Sequence, residues 1–553
     1  MSHSEVWYEP LPFEVNRMHW SDVMAKRLAE RGEKHIVATG ITPSGEFHIG
    51  HLREILTGDM IARAVRRAGM EAELVFVVDN ADPLRKVYPF LDESYEDFIG
   101  HQLGSIPAPD EHGKPDWDRF NNEGWTYGDH FLLPFLEALR QIGVVPTLLP
   151  NLEAYRSGKF SSAAKIACDN PGAIREIIER VSGRELSDDW FPWQPLDSKG
   201  SLDGLTITGY DYPLVHWTDR HGEQGSSNIE KGEGKLPWRL DWPAKWGFNH
   251  ITCEPFGKDH GAAGGSYDTG KEIALLFGHE PPAPLTYEWI SLKGKGAMSS
   301  SSGNTVGPME ALRLVPPEIL RFLVANSKPS KAIEFDTGMG LVNLADEYER
   351  LCARDFDAEM QEENLSRRKL VQLEDAKVAL ELASIREGDV ATATSISFRH
   401  MALLAQIKPN DDDVWASLQA SGSLDERTPE LEDRLRRMRA WIASDHFPEE
   451  MKVNVCSEPD LDAINALSEA QRGVLHHLSQ SLSTTDWTPD GITTAFKEAG
   501  AAADVGMRDV YRACYALFMA AERGPRLAPI LSNCDRESIL KLTSSAVDQQ
   551  AGN

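Results

Sequence analysis

Residues 35–78 constrain the fold more than any other part of this 553-residue chain. The apolar run at 35–38 is typical of a buried strand, and it breaks at Gly40 into a turn-rich loop, Thr42-Pro43-Ser44-Gly45. From Phe47 to Gly69 apolar residues recur at helical spacing, and residues 74–78 form a second apolar run. This order of strand, glycine loop, helix and strand predicts half of a parallel nucleotide-binding sheet.

Two histidines, His48 and His51, stand three residues apart in the first turn of the predicted helix, so their imidazoles share one face. The first amides of a helix have no partner within it, and the helix dipole is positive there. We therefore expect free amides and two imidazole donors to form an anion site suited to phosphoryl transfer. The alternative is a pair of structural histidines, which the preceding strand and glycine loop disfavour.

The segment PSGEFHIGH resembles the HIGH signature of class I aminoacyl-tRNA synthetases, and residues 48–51 match that signature at all four positions. Such short strings recur by chance, so a second match at a sensible distance is needed.

Residues 293–304 resemble the second signature of those enzymes, the KMSKS loop. Three residues match its pattern: Met298, Ser299 and Ser301. Ala297 and Ser300 stand where its two lysines would be, and we hypothesise that Lys293 and Lys295 supply the missing positive charge. A loop that carries hydroxyl and ammonium groups can close on the phosphates of ATP.

Taken with DPLRKV, KLPWRLDWPAKW, EPFGKDH and GGSYDTG, these segments resemble the class I lysyl-tRNA synthetases over essentially the whole chain. The resemblance implies an α/β fold: a split Rossmann-type parallel-sheet catalytic domain with a mixed insertion, followed by an all-α C-terminal helical cage. It divides the chain into a first catalytic half (1–94), an acceptor-end insertion (95–249), a second catalytic half (250–350) and a helical anticodon-binding domain (351–553).

The implied reaction activates L-lysine with ATP to lysyl-adenylate and transfers it to the 3′ end of tRNA(Lys). The alternatives are a class I enzyme for glutamate or glutamine, another adenylate-forming ligase, and a catalytically inactive tRNA-binding protein. Glutamyl enzymes carry an arginine five residues before the proline of the first loop. Counting back from Pro43 gives Ala38, which cannot pair with a substrate carboxylate.

The resemblance also implies site residues. His48 and His51 would be catalytic. The ATP-binding residues would be Ser44, Gly45, His48, Gly50, His51, Lys258, Lys293, Lys295, Met298, Ser299 and Ser301. The lysine-binding residues would be Gly40, Thr42, Trp238 and His260. Further candidates are Tyr267 and three residues that follow a predicted strand end, Asp82, Arg85 and Lys86. The alternative for these three is an ordinary loop with surface ion pairs, but their position on the sheet favours a role in the site.

The formal net charge of −29 disfavours a general nucleic-acid binder, although local basic patches remain compatible with one RNA partner. Two arginine clusters are candidates for that role, or else solvated faces: Arg63, Arg66 and Arg67, and Arg434, Arg436, Arg437 and Arg439. We expect tRNA(Lys), L-lysine and ATP as partners, and no DNA. We also expect no membrane, because no apolar run approaches about 20 residues.

Six cysteines are scattered without a C-x-x-C pair, which disfavours a disulfide framework and a cysteine-based zinc site. The beginning of the chain lacks a signal-peptide pattern, so we expect a cytoplasmic protein. Magnesium should accompany ATP, and we expect no structural zinc and no metal ligands in the protein.

Four local predictions concern the middle and the end of the chain. Residues 222–234 are polar and glycine-rich and predict a flexible loop, and the sheet is expected to resume at 249–252. Trp238, Trp242 and Trp246, spaced by four, indicate a packing stripe on a helix. Helical periodicity predicts helices near 129–142, 161–181, 369–386, 429–444 and 468–482.

Overall fold

The computed structural model describes residues 18–293, 296–297, 306–389, 396–424 and 426–551. The chain divides into two compact units. The first comprises Met1–Leu312, Pro317–Phe335 and Leu351–Thr392, and the second comprises Arg313–Pro316, Asp336–Arg350 and Ala393–Asn553.

A five-stranded parallel sheet forms the centre of the first unit. The strands in chain order are β1 (Lys34–Ile41), β2 (Glu71–Val78), β3 (Thr147–Pro150), β4 (Gln194–Pro195), β5 (Leu205–Asp211), β6 (Leu214–Asp219), β7 (Gln224–Asn228), β8 (Gly234–Lys235), β9 (Cys253–Gly257), β10 (Ala283–Tyr287), β11 (Ile290–Leu292), β12 (Gly296–Ala297) and β13 (Ile333–Phe335). The central sheet has the order β10-β9-β1-β2-β3, and all its pairings are parallel. The predicted parallel sheet is confirmed, although β1 continues past Gly40 to Ile41.

Helices pack on this sheet and fill the stretch between its two halves. In chain order they are α1 (Trp20–Ala29), α2 (Ile49–Arg67), α3 (Trp117–Glu123), α4 (Tyr127–Gln141), α5 (Asn151–Arg156), α6 (Ser161–Asp169), α7 (Pro171–Ser182), α8 (Trp238–Phe248), α9 (Lys258–Gly261), α10 (Ser266–Leu276), α11 (Pro308–Leu314) and α12 (Pro317–Ala325). The predicted helices near 129–142 and 161–181 and the tryptophan-bearing helix are confirmed.

Helix α2 lies unusually close to the sheet at Gly58. A Cβ atom at that position would come within 2.7 Å of Thr39 Cγ2 and 3.0 Å of Leu74 Cδ1. Any side chain there would push α2 away from β1 and β2, so glycine is what lets the helix rest directly on both strands.

The middle stretch contains more β structure than the sequence suggests. The prediction of a loop over 222–234 is wrong, because β7 pairs with β6 in an antiparallel β5-β6-β7 sheet. Ser227 of β7 is buried and accepts a hydrogen bond from the indole of Trp193, so polar residues are satisfied inside this sheet. The stretch predicted as an insertion also contributes β3, which forms the edge of the central sheet beside β2.

The second half of the sheet begins later than expected. Residues 249–252 are not a strand, since Asn249 ends α8 and His250 takes a left-handed φ of 53°. The strand is β9, and it places Glu254 inside the sheet rather than after it.

From Met339 onward the described residues form helices and no strand. These helices are α13 (Met339–Cys352), α14 (Phe356–Met360), α15 (Arg367–Ala383), α16 (Phe398–Ile407), α17 (Asp411–Ala420), α18 (Pro429–Ile442), α19 (Leu461–Asn465), α20 (Glu469–Thr484), α21 (Pro489–Ala502), α22 (Met507–Met519), α23 (Leu527–Asn533) and α24 (Arg536–Ala551). The predicted helices at 369–386, 429–444 and 468–482 are confirmed. In the described part of the chain, no helix combines the length and the apolar character needed to cross a membrane.

Candidate functional site

Helix α2 begins with His48 and His51 packed against each other. Nδ1 of His48 accepts the amide of Gly50 at 3.1 Å, and Nδ1 of His51 accepts the amide of His48 at 3.0 Å. The two rings stack with their centroids 3.9 Å apart. Because each Nδ1 is an acceptor, a neutral ring carries its proton on Nε2, and both histidines keep an Nε2–H donor for a ligand.

Burial keeps both imidazoles neutral. It lowers the pKa of His48 to about 4 and the pKa of His51 to about 3, and the neighbouring His48 ring adds to the second shift. At neutral pH the pair therefore offers an anion two N–H dipoles rather than two positive charges.

The expectation of free amides at this helix start is wrong for the first turn. The amide of Ile49 donates to the carbonyl of Val306 at 2.9 Å, that of Gly50 to His48 Nδ1, and that of His51 to the carbonyl of His48. The imidazoles act as the N-terminal cap and so occupy amides that a ligand would otherwise bind. The anion donors on this helix are therefore the two Nε2–H groups.

The loop before the helix is held in place from both sides. The amide of Ser44 donates to the carbonyl of Thr42 at 2.8 Å, and the hydroxyl of Tyr127 donates to the carbonyl of Ser44 at 2.8 Å. Gly45 is buried next to them. Ser44, Gly45 and Gly50, all predicted to bind ATP, thus lie on a fixed loop and first turn beside the imidazoles.

A pocket opens near the carboxyl ends of β1, β2 and β9. Its walls are largely aromatic and aliphatic, and several ionisable side chains reach into it. The residues that line it are Gly40, Glu54, Val77, Asp79, Trp238, Trp242, Lys245, Trp246, Ile251, Glu254, Phe256 and His260. Pockets at this edge of a parallel sheet are where such folds bind their ligands.

Glu54 projects from α2 into this pocket. Its carboxyl group accepts the amide of Gly40 at 2.7 Å and the hydroxyl of Tyr287 at 2.9 Å. It forms no salt bridge with a described residue, and burial raises the pKa of Glu54 to about 8. At pH 7 this group is therefore largely the neutral acid.

Glu254 faces the same pocket from β9. Its two oxygens accept the indole N–H groups of Trp242 at 2.9 Å and Trp246 at 2.5 Å. Burial raises the pKa of Glu254 to about 7, and no described residue forms a salt bridge with it. The pocket thus carries two carboxyl groups that lack a cationic hydrogen-bonding partner.

Lys245 is the only lysine or arginine among the described residues that line the pocket, and it is already engaged. Its Nζ atom lies 2.5 Å from Asp79 Oδ1 and 2.8 Å from Asp241 Oδ1. Asn151 donates to Asp79 at 3.1 Å, and Tyr155 donates to Asp241 at 2.5 Å. This buried network neutralises the charge of Lys245, so Lys245 does not serve as an ion-pair partner for Glu54 or Glu254.

A second ion pair, between Lys235 and Asp82, lies beside this network. The hydroxyl of Thr42 donates to the other oxygen of Asp82 at 2.8 Å. Asp82, predicted from its position after β2, is therefore joined to the loop that carries Ser44.

The predicted lysine-binding residues come together around the pocket. Gly40, Trp238 and His260 line it, and Trp238 stacks on Trp242 with ring centroids 5.3 Å apart. Burial lowers the pKa of His260, so its ring is neutral there. Thr42 does not line the pocket; its hydroxyl donates to Asp82, which does not line the pocket either.

Other predicted residues lie further out. Lys258 is exposed and pairs with Glu288 at 2.7 Å, just beyond β10. Tyr267 donates its hydroxyl to the carbonyl of Pro282 at 2.7 Å and packs beneath the pocket aromatics. Arg85 and Lys86 are exposed on the segment after β2.

Part of the second signature lies outside the described residues: Lys295, Met298, Ser299 and Ser301. Lys293 is exposed, and its amide donates to the carbonyl of Phe335 at 3.0 Å. Val306 is the first described residue after the second signature, and its carbonyl accepts the amide of Ile49. The chain that follows the second signature therefore contacts the start of α2, which carries the first signature.

The two arginine clusters considered as RNA contacts pair with acids of the chain. The pairs are Arg63–Asp59, Arg66–Glu387, Arg67–Asp22, Arg434–Glu349, Arg436–Asp433, Arg437–Asp433 and Arg439–Asp411. Their positive charge is balanced locally, which removes the reason to assign them to RNA.

Glu54, Glu254 and Tyr287 were missed by the sequence analysis. A glutamate within the apolar run of β9 was the one available signal for Glu254, since buried carboxyls need a reason. For Glu54 the signal was its position three residues after His51, on the same helical face. Among the described residues, no group of three or more His, Cys, Asp or Glu side chains is arranged to hold a metal ion.

The chain is similar to proteins of one family. The family described as tRNA synthetases class I (K) matches residues 18–377. A lysine–tRNA ligase of Picrophilus torridus is 38% identical over 531 residues, covering 96% of this chain and 99% of that protein. A lysine–tRNA ligase of Thermoplasma volcanium is 36% identical, covering 94% and 97%. A glutamate tRNA ligase structure from Elizabethkingia meningosepticum, solved with its amino acid, aligns over 93% of this chain and 99% of that one, with 14% identity and a TM-score of 0.43.

Proposed function

Because the chain belongs to the class I lysine–tRNA ligase family, we propose that it activates L-lysine with ATP and transfers the lysyl group to tRNA(Lys). The observation that carries this proposal is the pocket beside His48 and His51, where two buried carboxyl groups face aromatic walls without a cationic partner of their own. A lysine side chain supplies what such a pocket lacks: an ammonium group at the end of an apolar stem.

We assign the ammonium group of lysine to Glu54. Its carboxyl group is fixed by Gly40 and Tyr287, so it is oriented before the substrate arrives. Trp238 and Trp242 would cover the methylene stem, because their stacked rings border the same cavity. For the side chain of glutamate the pocket offers no positive partner, since Lys245 is engaged by Asp79 and Asp241 and Ala38 is buried below the pocket.

In the first step the lysine carboxylate attacks the α-phosphorus of ATP, and pyrophosphate leaves. The Nε2–H groups of His48 and His51 would donate to phosphate oxygens, where negative charge builds up. In the second step the terminal ribose hydroxyl of tRNA attacks the lysyl carbonyl, and AMP leaves. Neither step needs a covalent enzyme intermediate, so positioning and charge stabilisation supply the catalysis.

We propose that Ser44, Gly45 and Gly50 approach the nucleotide beside the imidazoles. The cations around its phosphates would be Lys258, Lys293 and Lys295, and Met298, Ser299 and Ser301 of the KMSKS-like loop would contact ATP as well. Magnesium would enter bound to the ATP phosphates and water, as it usually does with nucleotides.

We propose that the insertion, residues 95–249, binds the acceptor end of tRNA(Lys). In the chain it separates the two halves of the catalytic domain, 1–94 and 250–350. We propose that the helical residues 351–553 bind the anticodon. We place the reaction in the cytoplasm, as the scattered cysteines indicate.

Pyrophosphate exchange with lysine, glutamate and glutamine, each with and without tRNA, tests the proposal. Exchange that is specific for lysine supports it. Exchange with glutamate would instead favour a glutamyl enzyme, and no exchange under any condition would favour an inactive tRNA-binding protein.

The role of the histidines is tested separately by His51→Ala. Removing one oriented donor to a transition state costs about 10²–10³ in rate, so lysine activation should slow by that factor. The affinity for lysine, measured by calorimetry, should change little, since His51 does not line the lysine pocket. An unchanged activation rate would remove His51 from the phosphate site.

A further inference from the structure

The segment that follows β2 carries an exposed surface of stacked rings and basic groups. We name Lys86, Tyr88 and Phe90 the aromatic platform. The rings of Tyr88 and Phe90 are parallel to within 2°, with centroids 5.5 Å apart, and Lys86 Nζ lies 5.3 Å from the centre of the Tyr88 ring. Phe90 is 38% exposed, which leaves ring surface open to a ligand.

The basic groups at this surface are not neutralised by acidic side chains of the described residues. Arg85 and Lys86 are exposed, and neither forms a salt bridge with a described residue. The two arginine clusters differ in this respect, because each of their guanidinium groups has an acidic partner. On a chain of net charge −29, two unneutralised cations beside stacked rings are a specific feature rather than part of a general basic surface.

The platform is held rigidly. Phe90 packs edge-on against Phe131 of α4, with ring centroids 5.5 Å apart. The amide of Asp92 donates to the carbonyl of Gly113 at 2.9 Å, and a Cβ atom on Gly113 would lie only 2.5 Å from the carbonyl oxygen of Phe90. The backbone below the rings is thus fixed before any ligand binds, which lowers the entropy lost on binding.

The platform is also connected to the phosphate site. Phe131 packs against Tyr127 with ring centroids 5.0 Å apart, and the hydroxyl of Tyr127 holds the carbonyl of Ser44. On its other side, Asp82 of the pocket network precedes Arg85 by three residues. Ring contacts therefore lead from the loop before His48 to the exposed face of Phe90.

We propose that the aromatic platform stacks the unpaired 3′-terminal bases of tRNA, and that Arg85 and Lys86 bind the adjoining phosphates; this rests on the proposed function. Proteins bind single-stranded RNA by combining aromatic surfaces with cations that follow the backbone. Both are present here, on a fixed support joined to the site where the 3′ end must arrive.

The test compares intact tRNA(Lys) with the same RNA trimmed of its unpaired 3′ nucleotides, by equilibrium binding without lysine or ATP. Because a stacked base contributes about 1–3 kcal/mol, the double variant Tyr88→Ala/Phe90→Ala should bind intact RNA about 5- to 150-fold more weakly. Its affinity for the trimmed RNA should match that of the unmodified protein. The double variant Tyr88→Phe/Phe90→Tyr keeps both rings and should keep the affinity.

The cations are tested by the dependence of binding on salt. Each lost phosphate contact on a single strand lowers the slope of log affinity against log salt by about 0.7, so Arg85→Ala and Lys86→Ala should each do so with intact RNA. Lys34→Ala is the matched control. Lys34 is also exposed, and it lies at the amino end of β1, at the opposite edge of the sheet. That variant should leave the slope unchanged.

Three results would overturn the platform: equal weakening with intact and trimmed RNA, no weakening at all, or equal binding of the two RNAs by the unmodified protein. Lys86→Ala changes only an exposed side chain, so the test remains even if the double alanine variant folds poorly. A protein that gives the expected RNA binding but attaches no lysine would refute the proposed function and leave the platform standing.

Discussion

Helix α2 carries two buried carboxyl groups, five residues apart, in opposite surroundings. Asp59 lies between two arginines, with Arg63 Nε at 3.0 Å and the buried guanidinium of Arg321 at 2.6 Å. Glu54 has only neutral donors, the amide of Gly40 and the hydroxyl of Tyr287. One helix thus serves stability and binding at different positions. The charge of Asp59 is neutralised by arginines away from the pocket, whereas Glu54 has no cationic partner where the substrate is proposed to bind.

Asp59→Asn should have the largest effect, and on stability. It leaves the buried guanidinium groups of Arg63 and Arg321 without their shared counter-ion, and breaking such a pair costs about 3–5 kcal/mol of the free energy of unfolding. Urea denaturation followed by tryptophan fluorescence measures this. Glu54→Gln is the matched acid-to-amide change and should lose no stability. Equal losses in the two variants would abolish the contrast.

Glu54→Gln should have the next largest effect, and on lysine use. Removing one partner of a buried charge pair costs about 2–5 kcal/mol, so kcat/KM for lysine should fall by about 30-fold to several thousandfold. Activation assays with varied lysine measure it. The KM for ATP should stay within about threefold of the unmodified value, because Glu54 does not belong to the proposed phosphate contacts. Normal lysine kinetics would assign the ammonium group to another carboxyl.

The affinity for lysine should depend on pH below about 8. The folded pKa of Glu54, about 8, lies above its ordinary value of 4.5, so below that pH Glu54 carries a proton that it must release to pair with the ammonium group. Binding should strengthen by about tenfold per pH unit from pH 6 to 8 and level off above that. Calorimetry in two buffers of different ionisation enthalpy should show release of about one proton, and Glu54→Gln should flatten the profile.

The same shift predicts a pH dependence of folding. The folded chain keeps the Glu54 proton and the unfolded chain loses it above about 4.5, so the contribution to stability falls as pH rises from about 4.5 to about 8. Glu54→Gln should make that decline shallower, and the part that remains in the variant belongs to Glu254, whose pKa of about 7 also lies above 4.5. An unchanged decline in the variant would show that Glu54 does not keep its proton in the folded chain.

Thr42→Val should have the smallest effect. Asp82 near the pocket is paired with Lys235, much as Asp59 is paired with arginines, and Thr42 only adds a hydrogen bond to it. Losing one such bond costs about 0.5–1.5 kcal/mol, so the KM for lysine should rise about 2- to 10-fold. A loss beyond about 100-fold would show that Thr42 contacts lysine itself, as the family resemblance implies.

The sequence predicts the part of the fold that rests on local patterns. The strands around the histidine helix are buried apolar runs, and the helices toward the C-terminus have clear periodicity, so both were found. β3 was missed because it is a four-residue edge strand that is mostly exposed. β7 was missed because its residues, QGSSN, carry no strand signal of their own, and pairing with β6 is what makes them a strand.

The candidate site shows the same limit. His48 and His51 were identifiable because both lie in one short signature, and their position at the start of α2 is confirmed. The network of Asp79, Asp241 and Lys245 was not, because Asp79 follows β2 whereas Asp241 and Lys245 lie one turn apart on α8, and only the tertiary packing brings these two distant segments together. Lys295 and its neighbours in the second signature stay a prediction.

The close seat of α2 on the sheet at Gly58 has a consequence for the size of the substrate. His51 and Glu54 lie three residues apart on one helix, which is a rise of about 4.5 Å. Because the helix rests directly on two strands at Gly58, both side chains also keep their positions relative to the sheet. The helix therefore fixes the distance between the proposed phosphate donor, His51, and the proposed ammonium acceptor, Glu54. Ornithine is one methylene shorter than lysine, so its ammonium group would not reach Glu54. One methylene is worth about 10- to 200-fold in discrimination between substrates.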